Sequence, residues 1–353
     1  MTSSTHAQTG SLPSVLVLGG GPDAERPVSL ESAAAVDDAL RRAGLMVHTR
    51  TIDTPTLAQL GEMPGEVVFP VLHGRFGEGG PLQDLLEALG RPFVGAGGKA
   101  ARLAMDKLAT KLCAASAGLK TLPSYVFCAA DSVCPFSLPV VIKPVHEGSS
   151  VGLYICEDQQ SWIRAHAAVV EDIAASPGRV YMVEPMVSGR ELTVGVIEDA
   201  SGALEALPIV EIIPAEKVYD YAAKYDRNDT RYQANPDLPA GVEACCSQSA
   251  ISLVGSMGIG HVCRVDFLLE CPQNSEPNVW LLEANTMPGF TAHSLLPMAA
   301  QAAGLDMPAL CAQLVGRACA GAMMPSSTGD DGAELAESKF AESDHGGTHG
   351  SNT

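Results

Sequence analysis

The chain has 353 residues, of which 46% are hydrophobic and 18% charged, with 35 glycines and 24 prolines. This length predicts two or three domains rather than one small core. The composition favours a folded α/β enzyme over a disordered scaffold. A formal net charge of −19 argues against nucleic acid as a partner, because the surface would repel a phosphate backbone.

The cysteines and the first residues bear on the compartment. Ten cysteines are scattered without a Cys-x-x-Cys pair, and Cys245 and Cys246 are adjacent. This pattern is typical of reduced thiols in a cytosolic protein. Residues 1–13 lack the basic start and apolar core of an export signal, and no later stretch is long enough to span a bilayer. We therefore predict a cytoplasmic protein that does not bind a membrane.

The first predicted element is a buried strand over residues 15–18 that ends in the turn Gly19-Gly20-Gly21. Ser29 is then a plausible N-cap for a helix over residues 30–43, which Gly44 would end.

The same order of strand, glycine-rich loop and helix follows once more. A strand over residues 67–72 precedes the segment His73–Gly80 and a helix over residues 82–89. This alternation predicts a mostly parallel sheet with both glycine-rich loops at the carboxyl ends of its strands.

The middle of the chain reads as a helix to Lys111 followed by several strands. The predicted strands lie near Tyr125 and over residues 140–143, 180–183, 192–196, 207–211, 263–269 and 279–282. Residues 213–238 lack sustained periodicity and are predicted to form a long loop that covers a site. An alanine-rich helix is expected over residues 305–322, and a polar, disordered tail over residues 325–353.

Candidate hard oxygen ligands lie on or directly after two of these strands. Asp266 lies on the predicted strand over residues 263–269, and Glu283 and Asn285 come directly after the predicted strand over residues 279–282. Two carboxylates and an amide on neighbouring strands suit Mg²⁺, which keeps further positions for water and phosphate oxygens. Lys143 and the turn Glu147-Gly148-Ser149-Ser150 suit a phosphate cradle, because glycine and serine allow close approach of backbone N–H groups and lysine supplies charge.

The segment Glu-Ala-Asn-Thr-Met-Pro-Gly-Phe-Thr-Ala-His-Ser at residues 283–294 resembles the metal and substrate segment of the D-alanine:D-alanine ligases of the ATP-grasp superfamily. Segments at residues 20–30, 73–80, 143–152 and 219–225 resemble the same family in chain order, so the match covers roughly residues 14–320. The resemblance implies an α/β protein, α+β in parts, with the ATP-grasp fold. The implied division is a disordered lead (1–13), an N-terminal parallel-sheet substrate domain (14–106), a central ATP-grasp subdomain (107–188), a C-terminal one (189–324, with a lid over 213–238) and the tail (325–353).

The resemblance also assigns roles to residues. It implies contacts to ATP, to the first D-alanine, to the tetrahedral oxyanion, and to the second carboxylate or the transferred phosphate. The implied ATP-binding residues are Lys107, Lys143, Ser150, Glu184, Val187 and Glu191. Glu25 would hold the ammonium of the first D-alanine, linked through Ser149 and Tyr225, with His73 nearby. Arg264 and the Gly289 N–H would face the oxyanion. Ser294 and Lys224 would bind the second carboxylate or the phosphate.

The implied reaction joins two molecules of D-alanine through a D-alanyl phosphate, for cell-wall precursor synthesis. ATP and Mg²⁺ or Mn²⁺, as two ions, are the expected cofactors, and a homodimer is the expected assembly. His146 receives no role, and Glu78 is left outside direct contact with the substrates because Gly79 stands where the family commonly has aspartate.

The sequence leaves three alternatives to this interpretation. The spacing Gly19-x-Gly21-x-x-Ala24 also fits a dinucleotide-binding enzyme, but Arg41 to Leu45 lacks the acidic residue that would hold a ribose. A catalytically silent ATP-binding protein would not need this full set of site residues. A sister ligase making D-alanyl-D-lactate or D-alanyl-D-serine is the third alternative. Tyr225 favours the dipeptide over the lactate ester, and discrimination against D-serine stays open.

Overall fold

A small parallel sheet begins the fold. The computed structural model describes residues 12–131, 133–148, 151–214 and 230–323. The sheet has the order β2-β1-β3 and consists of β1 (Val15–Gly20), β2 (Val47–Ile52) and β3 (Val67–Pro70). Every residue of β1 is buried, as expected for a strand covered on both faces. The predicted parallel sheet is confirmed in this part of the chain.

The helices around this sheet correct one predicted boundary. They are α1 (Arg26–Arg42), α2 (Leu57–Gly61), α3 (Gly74–Gly77), α4 (Pro81–Leu89) and α5 (Gly98–Met105). Ser29 is not an N-cap, because α1 begins three residues before it, with a proline in its first turn. The buried Ser29 hydroxyl instead accepts from Gly20 N–H at 2.9 Å and donates to the Val71 carbonyl at 2.6 Å. It therefore joins α1 to the carboxyl ends of β1 and β3.

An antiparallel sheet of four strands follows, in the order β4-β7-β5-β6. It contains β4 (Tyr125–Val126), β5 (Val140–Pro144), β6 (Tyr154–Cys156) and β7 (Tyr181–Pro185), with α6 (Lys107–Ser116) before it and α7 (Gln159–Ala175) between β6 and β7. The continuous helix predicted to Lys111 is wrong, because it breaks at Asp106. The Asp106 carboxylate accepts from the N–H groups of Leu108 and Ala109 and so starts α6 as a separate helix.

A larger antiparallel sheet completes the described part. Its strands are β8 (Arg190–Glu198), β9 (Leu204–Ala206), β10 (Val210–Ile213), β11 (Arg231–Ala234), β12 (Val262–Glu270) and β13 (Asn278–Asn285), in the order β11-β10-β8-β12-β13 with β9 paired to β8. The helices are α8 (Val242–Met257), α9 (Leu295–Ala302) and α10 (Met307–Met323). The expectation of a loop over all of residues 213–238 is wrong at its end, because β11 pairs with β10 there. Residues 215–229 of that segment lie outside the described residues.

One core connects the parallel sheet to the helices at the end of the described chain. Val15, Val17 and Phe69 of that sheet belong to the same buried cluster as Leu296 of α9 and Leu310 of α10. No single helix within residues 12–131, 133–148, 151–214 and 230–323 is long and apolar enough to cross a membrane, and α9 with α10 passes only as a pair bent by 103°. The predicted domain boundaries stay predictions, and the predicted tail and most of the lead lie outside the described residues.

Candidate active site

A cavity of about 750 Å³ lies between the two antiparallel sheets. Its walls come from β5 and β7 on one side and from β8, β12 and β13 on the other. They include five residues predicted to bind ATP and two predicted to bind metal: Lys107, Lys143, Glu184, Val187, Glu191, Asp266 and Glu283. The volume falls in the range of small-molecule sites. Residues distant in sequence therefore converge here.

Two lysines share the carboxylate of Glu184 in the wall of this cavity. Lys143 Nζ lies 2.5 Å from Glu184 Oε2, and Lys111 Nζ contacts Oε1. Burial by itself raises the pKa of Glu184, but the ammonium groups of Lys143 and Lys111 outweigh it and hold that pKa below its usual value. Burial lowers the pKa of Lys111, and Glu184 opposes that change. The group carries a net positive charge with both lysines protonated.

The two predicted carboxylate ligands lie opposite each other. Asp266 on β12 pairs with Glu283 on β13, and Arg264 pairs with Asn285 two residues along. Because these positions share one face of the sheet, their side chains converge. Lys107 Nζ lies 3.4 Å from Glu283 Oε2 and donates to the Glu147 carbonyl at 2.6 Å, so it also contacts the phosphate-cradle turn.

Asp266 is buried and held by three donors. Arg264 donates through Nε to Oδ1 at 3.0 Å and through Nη2 to Oδ2 at 2.8 Å. The Thr193 hydroxyl donates to Oδ1 at 2.6 Å, and Asn285 Nδ2 donates to Oδ2 at 3.1 Å. These contacts fix the carboxylate before any ligand binds. They also place the predicted oxyanion donor, Arg264, directly beside the predicted metal site.

The donor chemistry of Asp266, Glu283 and Asn285 fits a hard divalent cation. The described residues contain no group of three or more His, Cys, Asp or Glu side chains that could hold a metal. Mg²⁺ commonly takes one or two carboxylates and completes its shell with water and substrate phosphates. Two carboxylates and one amide beside a cavity of small-molecule size agree with that preference.

A second cavity, of about 530 Å³, adjoins this acidic group. Its lining brings together the described residues predicted to handle the amino acids, together with one metal candidate: Glu25, His73, Arg264, Asn285, Gly289 and Ser294. An ideal Cβ built on Gly148 would lie 3.5 Å from Glu25 Oε2, so the phosphate-cradle turn approaches the carboxylate predicted to bind an ammonium. Asp266 faces the first cavity and Asn285 the second, so the predicted metal ligands lie where the two meet.

The loop after β13 is attached to the parallel-sheet region at several points. His73 Nδ1 donates to the Met287 carbonyl at 3.1 Å, and the Thr286 hydroxyl donates to the Glu78 carbonyl at 3.2 Å. Phe290 N–H donates to the Ser32 hydroxyl at 3.0 Å, and the Phe290 ring packs edge-on against Phe69 with centroids 5.3 Å apart. Gly289, the predicted oxyanion donor, lies inside this anchored loop.

Two residues near the cavities had no assigned role in the sequence. Glu78 lines the second cavity, and burial, followed by the charge of Glu25, raises its pKa to about 8. Lys111 is buried behind the first cavity. Glu78 could have been recognised as a site residue because it lies in the glycine-rich segment His73–Gly80. Lys111 is one of two lysines in α6, so the sequence did not indicate that it lies near the cavity. Four predicted residues, Ser149, Ser150, Lys224 and Tyr225, lie outside the described residues.

Comparison with known proteins shows the family to which this chain belongs. Residues 126–316 match the family model described as D-ala D-ala ligase C-terminus. A D-alanine–D-alanine ligase of Bordetella petrii is 39% identical over 313 residues, which cover 87% of this chain and 93% of that protein. The chain belongs to the D-alanine–D-alanine ligase family.

Further similar proteins agree. A D-alanine–D-alanine ligase of Pseudomonas putida is 40% identical over 301 residues, covering 83% of this chain and 89% of that protein. The solved D-alanine–D-alanine ligase of Coxiella burnetii superposes with a TM-score of 0.73 at 26% identity, covering 88% of this chain and 94% of that one. The predicted family and its ATP-grasp fold are confirmed, and the dinucleotide-enzyme alternative is wrong.

Proposed function

We propose that this chain ligates two D-alanine molecules to D-alanyl-D-alanine at the expense of ATP. The supporting observation is the meeting of two cavities at Asp266, Arg264 and Asn285. The first cavity is lined by lysines, and the second is lined by Glu25 together with hydrogen-bond donors. A nucleotide and an amino acid bound side by side would bring a γ-phosphate next to a carboxylate, which is the geometry that phosphoryl transfer needs.

The first cavity is assigned to ATP. Lys107 and Lys143 would contact the phosphates, Glu184 and Val187 the adenine edge, and Glu191 the ribose hydroxyls. Asp266, Glu283 and Asn285 would hold Mg²⁺ or Mn²⁺, and a bound divalent ion would spread the negative charge of the phosphates. Ser150 is assigned to the same site on sequence resemblance.

The second cavity is assigned to the amino acids. Glu25 would bind the ammonium of the first D-alanine, with Ser149 and Tyr225 linked to it and His73 nearby. Ser294 and Lys224 would bind the second carboxylate or the transferred phosphate. The Arg264 guanidinium and the Gly289 N–H would stabilise the tetrahedral oxyanion, for which preorganised donors are effective.

The reaction then proceeds in two displacements. A carboxylate oxygen of the first D-alanine attacks the γ-phosphorus, which forms the acylphosphate and releases ADP. The ammonium of the second D-alanine loses one proton to solvent, and the resulting amine attacks the acyl carbon. The acyl C–O bond to phosphate breaks as the peptide bond forms, and the departing phosphate takes up the second proton. Arg264 and Lys143 act by charge and orientation.

The test is phosphate release from ATP and Mg²⁺ with D-alanine, L-alanine, D-serine and D-lactate in parallel, with products identified by mass. We expect D-alanine alone to support turnover and to yield the dipeptide. Phosphate release without a dipeptide would contradict the proposal, and a mixed product with D-serine or D-lactate would favour a sister ligase. Sedimentation would test the homodimer, and the cytoplasmic location stays a prediction.

A further inference from the structure

The carboxylate of Glu184 lies between two lysines that have different surroundings. Lys143 lines the first cavity, whereas Lys111 lies behind that wall with a side chain only 8% exposed. Lys111 Nζ donates to the Leu122 carbonyl at 2.7 Å and contacts Glu184 Oε1. Lys143 Nζ lies 2.5 Å from the other oxygen of the same carboxylate. The three groups form a line from α6 through β7 to the cavity on β5.

We propose that Lys111 is a positioning residue for nucleotide binding, which acts by neutralising Glu184 so that the charge of Lys143 stays available to the phosphates. The inference rests on the proposed ATP site.

The charge balance gives the reason. Two ammonium groups and one carboxylate leave one positive charge beside the cavity, whereas Lys143 and Glu184 alone would form a neutral pair. In a buried site such a pair is screened little, and a polyphosphate would have to compete with Glu184 for Lys143. Lys111 satisfies Glu184 from the side away from the cavity. It can therefore act on the nucleotide without touching it.

A purely structural role makes a different prediction. Lys111 also joins α6 to the chain at Leu122, and loss of that bond would loosen the helix whatever residue occupies position 184. If Lys111 acts through Glu184, its removal should matter only while Glu184 is charged. A double-mutant cycle between these two positions separates the two cases.

The experiment measures the Kd of a non-hydrolysable ATP analogue with Mg²⁺ by titration calorimetry. The variants are Lys111→Met, Glu184→Gln, the two combined, and Lys143→Met as the benchmark. Lys120→Met, an exposed lysine just after the same helix, is the matched control. We expect Lys111→Met to weaken binding about tenfold, within the range seen for coupled neighbours. In the Glu184→Gln background, Lys111→Met should change the Kd less than about twofold. In the otherwise unchanged chain, Lys111→Met should leave the KM for D-alanine close to that of the wild type.

Each result decides a point. An equal loss on removing Lys111 in both backgrounds would overturn the inference in favour of a structural role. Weaker binding in Lys143→Met but not in Lys111→Met would overturn it while leaving the ATP site in place. Wild-type affinity in Lys143→Met would instead overturn the ATP site itself. If Lys111→Met does not fold, as circular dichroism would show, the comparison of Glu184→Gln with the double variant decides alone.

Discussion

Glu78 accepts a hydrogen bond at its Oε2 from the backbone N–H of Met287, 3.3 Å away and 209 positions further along the chain. Its Oε1 accepts from Gly74 N–H, also at 3.3 Å. One buried carboxyl thus connects the glycine-rich loop after β3 with the loop that contains Gly289. Its protonation state should influence how firmly these two loops are joined.

The raised pKa of Glu78 predicts a pH-dependent stability. The pKa rises from 4.5 to about 8 on folding, mainly through burial. The folded protein therefore binds more protons than the unfolded chain between these values, and the free energy of unfolding should fall as the pH rises through that window. Each pKa unit corresponds to about 1.4 kcal/mol. Glu78→Gln carries no titrating proton and should lose this part of the pH dependence.

Urea unfolding of the substrate-free protein from pH 5 to pH 9 measures this effect. The difference in unfolding free energy between Glu78→Gln and the wild type should move in favour of the variant as the pH rises. Glu62→Gln, at an exposed position, is the control and should give a constant difference. Parallel curves for the wild type and Glu78→Gln would rule out a buried titration at Glu78.

Thr193 predicts a measurable effect on metal affinity. Its hydroxyl donates to Asp266 Oδ1 at 2.6 Å and has no place in the lining of either cavity. Removing a group that orients a metal ligand typically costs about 10- to 100-fold in metal affinity or activity. We expect Thr193→Val to raise the half-saturating Mg²⁺ concentration by such a factor at saturating ATP. Thr193→Ser, which keeps the hydroxyl, should stay near the wild type. An unchanged Mg²⁺ curve for Thr193→Val would show that the Thr193 hydroxyl does not orient Asp266 for metal binding.

Arg264 should be needed for turnover more than for nucleotide binding. The side chain lines the second cavity and is fixed by its paired bonds to Asp266. We expect Arg264→Ala to lower kcat by about a hundredfold or more, because an oxyanion donor acts mainly in the transition state. Arg264→Lys keeps the charge but loses the planar two-point contact, so it should recover only part of the rate.

Steady-state kinetics and nucleotide titration together check this role. The Kd for the ATP analogue should change much less than kcat in both variants. Since removal of Arg264 also leaves the buried carboxylate of Asp266 without its cationic partner, thermal unfolding must show that each variant is folded. Near-normal turnover in folded Arg264→Ala would remove Arg264 from the catalytic residues.

The sequence predicted which residues would line the cavities better than it predicted the elements around them. Asp266 and Glu283 were recognisable because Asp266 interrupts an apolar run and Glu283 ends one, and antiparallel pairing then places them opposite each other. Lys111 could not be recognised, because its role depends on contact with Glu184, 73 positions further along the chain, which no local pattern records. The helix α1 was predicted to begin at Ser29 because serine is a good N-cap, but tertiary hydrogen bonds to Gly20 and Val71 use that hydroxyl instead.

Among the elements that the sequence did not predict, α7, α8 and β11 lack the local signals that usually mark a helix or strand. α7 and α8 carry weakly patterned, alanine- and serine-rich sequence, so the apolar periodicity that marks a helix is diluted. β11 is an edge strand in a polar segment, and its residues alternate between exposed and half-buried positions. It is a strand because it pairs with β10, and its own sequence does not indicate this pairing.

Gly289 should not tolerate a side chain. An ideal Cβ built at this position would lie 2.7 Å from Ser294 Oγ, which also accepts from Thr291 N–H at 2.9 Å. Either the loop or Ser294 would have to move, and both are assigned to the amino-acid site. We expect Gly289→Ala to lower kcat/KM for D-alanine by about 10- to 100-fold, the scale on which a displacement of about 1 Å affects catalysis.

Nucleotide affinity should be unchanged, because Gly289 lines the second cavity only. Gly316→Ala is the matched control, since a Cβ there meets no atom within 4 Å. Equal activity of the two alanine variants would show that the approach of Gly289 to Ser294 is not needed for the reaction.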